Sequence, residues 1–377
     1  EIGLSDRLEW HESKVWIFYG GKIFNLVTPL DLLKFSPLSI LDRIRMGLVT
    51  MILKTKKDWK ALENVTTDEW IKTWAGKRVY EVVWGPLLRG KFGDRHYNEI
   101  GMPWFWGKIH TRFASRGKNM AKELLGYPKG SFGEIFDTLA KKIELMGGTV
   151  RLSTGVKKII IEEGKAVGLS IESGSDSKEE LTEKFDAILS TTPSFVFPKL
   201  VPKMPKEYEN RLTTVQYMSA VLIILILDRP LTNVYWLNVA DRSIPFVGLI
   251  EHTNMIDSSL YGGKHIVYLS NYLNIDHPLY QMDHKQLLAE YLPHIKKITP
   301  DFDESWIVKT YYHKVGAAQP IIGVNYSERI PGHRTPFENL YLANTTQIYP
   351  EDRGTNYSVR MGRDVAKLLL KDDSSPD

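Results

Sequence analysis

The chain has 377 residues, of which 43% are hydrophobic and 25% charged, the composition of a soluble globular protein long enough for two packed domains. A net charge of +4, small and dispersed, gives no argument for nucleic acid, and the absence of cysteine excludes disulfides, thiolate catalysis and zinc–thiolate sites while fitting a reducing cytoplasm. The longest apolar run, Ala220 to Leu227, is far below the roughly 20 residues that cross a bilayer.

From the N-terminus, Lys14 to Tyr19 and Lys22 to Leu26 flank the Gly20-Gly21 pair and read as a hairpin. Helical patterns follow at Ser39 to Lys54, Thr67 to Trp74, Arg78 to Val83 and Trp104 to Ser115. A turn at Pro128 to Gly133 leads into a helix from Glu134 to Met146, closed by Gly147-Gly148. Strand-like segments then come at Thr149 to Leu152, Val156 to Glu162, Ala166 to Glu172 and Phe185 to Thr191, with a polar hairpin tip over Ser173 to Glu183. An antiparallel sheet is expected from Ser219 to Leu227, Val234 to Asn238, Phe246 to Glu251, Lys264 to Asn271 and Trp306 to His313. A helix from His284 to Leu292 interrupts it and is expected to stop at Pro293. The charged tail is expected to be disordered over 372–377.

The most informative stretch is the last one. Asn339 to Asn344 is a short apolar run that ends in the polar turn Gln347 to Tyr357, and Val359, Val365, Ala366, Leu369 and Leu370 then approximate helical spacing. A strand feeding a helix through Gly354-Thr355-Asn356 offers free backbone N–H groups at the positive end of a helix dipole, which suits an electron-rich ligand. The plain reading of the same turn is a helix cap by Thr355 or Asn356.

That stretch resembles the flavin-contacting C-terminal segment of the FAD-dependent amine oxidase, protoporphyrinogen oxidase and phytoene desaturase superfamily. Leu4 to Trp10, Pro29 to Phe35, Pro37-Leu38-Ser39 and Asp42-Arg43 resemble the segment that follows the first βαβ unit of bacterial desaturase-like flavoproteins. Trp84 to Gly93 resembles the entry to the substrate domain, where a Pro-terminated helix precedes a loop near the cavity. Relatives begin with a Gly-x-Gly-x-x-Gly turn for the FAD pyrophosphate; this sequence has none and starts at Glu1. The resemblance therefore implies that at least one βαβ unit, roughly 30 residues or more, is missing here, cut away or supplied by a separate chain.

The resemblance implies a mixed α/β (α+β) two-domain flavoprotein fold. An incomplete Rossmann-like FAD-binding domain is expected at 1–27, 128–200 and 318–371, and a substrate domain with antiparallel sheet and helices at 28–127 and 201–317. It implies cofactor contacts at Val156, Thr191, Asn344, Arg353, Gly354, Thr355, Asn356 and Tyr357. In this reading Val156 lies against the adenine through its backbone, and Asn344 stands where many relatives carry an acidic residue. Arg353 either faces the flavin or a substrate anion, or pairs locally with Glu351 or Asp352. Tyr349 and Tyr357 line an aromatic cage or pack in the core. Tyr312 and Gln319 are further cavity candidates, the latter in a small-residue loop, Ala317 to Pro320, that allows backbone to approach a planar ring. The substrate pocket is expected between the sheet of residues 219 to 313 and the flavin.

The implied function is a flavin-dependent oxidoreductase taking a hydride equivalent from an apolar or amphipathic substrate, lipid, terpenoid or aromatic amine ahead of small polar acids. The alternatives are a nucleotide-sugar mutase type of flavoprotein, or a non-catalytic, partner-dependent half of a split flavoprotein. No metal site is expected, since no pair of the ten histidines has ligand spacing. Arg89, Lys91 and the basic run from Arg112 to Lys118 read as a solvated face or as a site for an anionic or lipid headgroup. Met46 to Lys57 reads as a core helix or as a peripheral membrane contact.

Overall fold

The computed structural model describes residues 2–26, 28–114, 123–173 and 180–373, which form two compact units. One unit comprises residues 5–129 and 217–324. There, β1 (Leu8–Glu12) pairs with β4 (Leu124–Pro128), and β2 (Val15–Tyr19) turns into β3 (Lys22–Asn25). The turn works because Gly20 and Gly21 take φ of 57° and 75°, a left-handed pair that side chains resist. The helices α1 (Pro29–Lys34), α2 (Ile40–Thr55), α3 (Thr67–Trp74), α4 (Lys77–Val79), α5 (Gly85–His96) and α6 (Met102–Ala114) follow.

The centre of this unit is a seven-stranded sheet in the order β13-β9-β12-β11-β10-β2-β3, completed by β9 (Tyr217–Leu227), β10 (Trp236–Val239), β11 (Gly248–Glu251), β12 (His265–Leu273) and β13 (Ile307–Pro320). All pairs are antiparallel except β10 with β2. Residues 5–27, expected in the cofactor domain, therefore belong with the sheet unit: the partner of β2 is β10, more than 200 positions away, and no local signal encodes that pairing.

The other unit comprises residues 2–4, 130–216 and 325–373. Its helix α7 (Ser131–Leu145) leads to a three-stranded antiparallel sheet of β5 (Thr154–Glu162), β6 (Lys165–Ser173) and β7 (Glu180–Lys184). Then come β8 (Ile188–Ser190), α8 (Phe197–Leu200) and α9 (Lys206–Thr213). Near the C-terminus, β14 (Leu340–Leu342) pairs with β8 in parallel, and α12 (Thr355–Asp373) follows. Leu340, Leu342 and Ile188 pack with Ile159, Phe197 and Leu212 in one apolar cluster. The mixed α/β class is as expected, and the parallel pair is the Rossmann-like part of it.

Several expected boundaries move. Between α10 (Pro278–Gln281) and β13, α11 (His284–Ile298) runs through Pro293, because Leu287, Tyr291, Ile295 and Ile298 form one buried stripe whose burial outweighs the hydrogen bond proline cannot make. Pro86 opens α5 and does not close a helix. A π-helical turn over Tyr80–Trp84 runs directly into α5, so Pro86 lies within a continuous helical stretch, and the break falls at Gly93, with φ 66° and ψ 171°. Residues 149–152 are irregular, and β5 begins at Thr154; among the described residues no strand pairs with them. Ala317 to Pro320, expected as a loop, ends β13, which absorbs extra residues in a bulge between Val315 and Gln319. The tail is helical through Asp373, and Asp372 accepts hydrogen bonds from Arg334 and Tyr341; residues 374–377 lie outside the described set. So do 115–118 of the basic run and 174–179 of the hairpin tip.

Candidate functional site

The parallel strands β8 and β14 end side by side, with Leu342 opposite Ser190 and Ala343 N donating to Ser190 O at 3.0 Å. Ligands in open α/β sheets sit beyond such carboxyl ends. Thr191 lies there, exposed, and Asn344 lies beside it, 6% exposed. Asn344 caps a short turn: its N–H donates to Gln347 Oε1 at 2.8 Å, and its Oδ1 accepts from Thr346 N at 3.1 Å and Thr346 Oγ1 at 2.7 Å. Its Nδ2 donates to Thr192 O at 2.9 Å and Ser194 Oγ at 3.1 Å. Both donors and both lone-pair positions of the amide are thus engaged within the protein. Asn344 ties the two strand ends together, and its side chain has no position left for a cofactor.

The chain then passes Tyr349, whose half-buried ring lies 5.4 Å from that of buried Tyr326; Tyr326 Oη donates to Thr346 O at 2.8 Å. The start of α12 follows. Tyr357 N and Ser358 N donate to Gly354 O at 3.1 and 3.0 Å, so the N–H groups before them are the ones a helix leaves unmatched. Thr355 and Asn356 are exposed. Gly354 has an ordinary φ; a Cβ on it would fall 2.9 Å from Asn356 Oδ1 and 3.4 Å from Tyr357 Cδ2. The need for glycine here is close approach, not backbone strain. Glu351 is paired with Arg360 at 3.1 Å, and the Arg360 guanidinium lies 5.0 Å from the Tyr357 ring centre. The N–H groups that a helix leaves unmatched at its start suit an electron-rich ligand edge such as that of a flavin. Val156 sits at the start of β5 opposite Ile171, beside a register shift before Lys158, and is half exposed.

In the sheet unit, two of the expected cavity residues point elsewhere. Tyr312 donates from Oη to Met282 O at 2.7 Å and stacks on His284 with centroids 5.6 Å apart, packed against the core at the start of α11. Gln319 is fully buried and donates to Pro320 O at 3.1 Å. The apolar surface lies on the other side of the sheet. Along β9, Val221, Ile223, Leu225 and Leu227 face the core, whereas Leu222, Ile224 and Ile226 are half-buried on the opposite face. Register places Tyr311, Ile224, Tyr268, Ile250 and Trp236 in one row across five strands.

Beside Tyr268 lies a cluster that the sequence did not single out. His252 Nε2 is 2.7 Å from Tyr261 Oη, and its ring centre is 5.3 Å from that of Tyr127 and 6.3 Å from that of Tyr268. Burial, with His11 as a second influence, holds the His252 imidazole below the usual histidine range. Burial likewise pushes the Tyr261 hydroxyl up to about 12. These residues come from β4, from the segments after β11 and from β12, so only the fold assembles them.

Two clefts also occur among the described residues. One of about 440 Å³ is lined by Arg89, Asp94, Arg95, Asp241 and Arg242 among others. Its Arg89 guanidinium stacks on Tyr97 at 4.3 Å, and Lys91 sits over the Trp104 and Tyr272 rings at 5.6 and 5.3 Å. The other, about 540 Å³, lies at the amino ends of β8 and β14, lined by Asp186 and Asn339 among others. No group of three or more metal-ligating side chains occurs among the described residues, and no helix of the described residues is long and apolar enough to cross a membrane.

Comparison with known proteins gives a consistent picture. A family profile described as flavin containing amine oxidoreductase matches residues 1–370. The chain is 36% identical over 88 residues to the chloroplastic prolycopene isomerase of Daucus carota, a match covering 23% of this chain and only 14% of the isomerase. Among solved structures, a protein from Exiguobacterium sp. 255-15 assigned as a protoporphyrinogen oxidase has a TM-score of 0.73 at 15% identity, covering 98% of this chain and 83% of that one. An oxidoreductase from Methanosarcina mazei has a TM-score of 0.69 at 19% identity, covering 96% and 82%. At these identities the structural likeness establishes a shared fold.

Proposed function

Because this chain belongs to the flavin containing amine oxidoreductase family, with FAD as its cofactor, we propose that it is an oxidoreductase that takes a hydride equivalent from an apolar or amphipathic substrate. The observation that carries the substrate class is the row Tyr311, Ile224, Tyr268, Ile250 and Trp236, flanked by Leu222, Ile226 and Ile266. Side chains of this kind bind hydrocarbon by area, and Lys309, 4.6 Å over the Tyr311 ring, adds a charge at one end that suits an amphipathic molecule. FAD, when bound, supplies the redox chemistry. The N–H groups at the start of α12 would hold its electron-rich edge. The family favours this over the nucleotide-sugar mutase alternative.

The test uses the flavin-loaded protein without oxygen. Terpenoid, long-chain and aromatic amine compounds, and separately small polar acids, are mixed with it while the absorbance of oxidised flavin is followed. Bleaching by members of the first group is expected, and Ile224→Asp should slow it. Bleaching by small polar acids alone would overturn the substrate class.

A further inference from the structure

Helix α2 is apolar on two opposite sides. Met46, Val49 and Leu53 are buried. Ile40, Leu41, Ile44, Leu48, Met51 and Ile52 are exposed, from 47% to 79%. At about 100° per residue these six fall, with Thr55, inside one arc of about 120° that contains no charged side chain. The neighbouring helix α1 adds Leu30 and Leu33, 67% and 52% exposed. A water-facing helix has no reason to carry such a continuous surface.

The rim carries a second kind of information. Arg45, at the edge of the arc, donates to Trp74 O at 2.6 Å and Thr73 O at 2.8 Å, which fixes beside α2 a tryptophan that is 54% exposed. At the C-terminal end, Lys54, Lys56, Lys57 and Lys60 fall within seven residues, with Asp58 the single acid among them. Trp106 Nε1 donates to Lys56 O at 2.8 Å and anchors that end. The acids on α1 and α2 are committed elsewhere: Asp31 accepts from Thr28 N at 2.8 Å and Asp42 from Ser39 Oγ at 2.7 Å. A second copy of the chain would meet the lysines with no free acidic patch on this face. Anionic headgroups would match them, and a half-exposed tryptophan suits the interface between headgroup and hydrocarbon.

We propose that the α1–α2 face docks this chain on a membrane with anionic headgroups, α2 lying in the plane of the interface with its arc in the acyl boundary. The proposal does not depend on the flavin chemistry, and neither does its test.

The protein is sedimented with vesicles of phosphatidylcholine alone or mixed with phosphatidylglycerol, at low and high salt. Binding to the mixed vesicles is expected, weakened by salt. The double variant Leu41→Asp, Leu48→Asp should bind about tenfold less or worse. Lys57→Glu with Lys60→Glu should lose the preference for phosphatidylglycerol while leaving the weaker binding to phosphatidylcholine. All four sites are exposed, and an unchanged urea midpoint confirms that each variant folds. Absence of vesicle binding overturns the proposal, as does full binding by the double aspartate variant. A concentration-dependent dimer that dissociates in that variant, without vesicle binding, assigns the face to a second copy and also overturns it.

Discussion

Replacing Asn344 separates a residue that holds a cofactor from one that holds the protein. In Asn344→Ala the hydroxyls of Ser194 and Thr346 keep each other, 2.9 Å apart, but Thr346 N–H and Thr192 C=O lose their side-chain partner in a buried setting. At about 1–2 kcal/mol for each orphaned group, including the lost cap, the expected destabilisation is about 2–4 kcal/mol. Asn344→Asp keeps both acceptor contacts to Thr346 but points an oxygen at the Thr192 carbonyl and leaves a charge almost fully buried. It should therefore cost at least as much as alanine. Urea unfolding with fitted midpoints and slopes measures both. An aspartate variant with the parent midpoint, within about 0.5 kcal/mol, would refute this account. It would return Asn344 to the role the family resemblance implies, a ligand contact that many relatives make with an acid.

Gly354→Val should lower the flavin content of the loaded protein while moving the urea midpoint by less than about 1 kcal/mol, because the added atoms meet the movable Asn356 side chain and not backbone. Full flavin content with an unchanged midpoint would place the ring away from Gly354. His252, held low chiefly by burial, stays neutral in the fold while the unfolded chain gains a proton below about pH 6.5. Its contribution is therefore present above that pH and is lost as pH falls toward the depressed folded value. His252→Gln should flatten the decline in urea midpoint on acidification, and an unaltered slope would show that this imidazole does not titrate between the two states.

What the sequence discloses follows the distance over which each feature is encoded. The start of α12 is local, a glycine between a polar turn and spaced apolar residues, and it is found where the pattern puts it. The network of Asn344 is invisible because Thr192 and Ser194 lie about 150 positions away. The side of the sheet that Tyr312 faces is hidden for a different reason. Its partner strand β9 is apolar on both faces, as the unbroken run from Ala220 to Leu227 shows, so alternation cannot tell which side meets α11. Pro293 is a reliable breaker only where nothing beyond it is buried, and Ile295 and Ile298 are. The fold class and the family were legible because they rest on several short segments at once, none of which had to be placed in space.

The row from Tyr311 to Trp236 has a length as well as a polarity. Five strands at about 4.8 Å between neighbours make a ruler of roughly 19 Å laid perpendicular to the chain direction. Its graduations are set by backbone register, and the Tyr311 end lies in the regular stretch of β13 between its two irregularities. A slip of one residue in β9 would exchange half-buried Ile224 for a core side chain, so the spacing of these marks is tied to the core itself. Shortening or lengthening a single mark would then change the row one side chain at a time, while the sheet that carries the marks stays fixed.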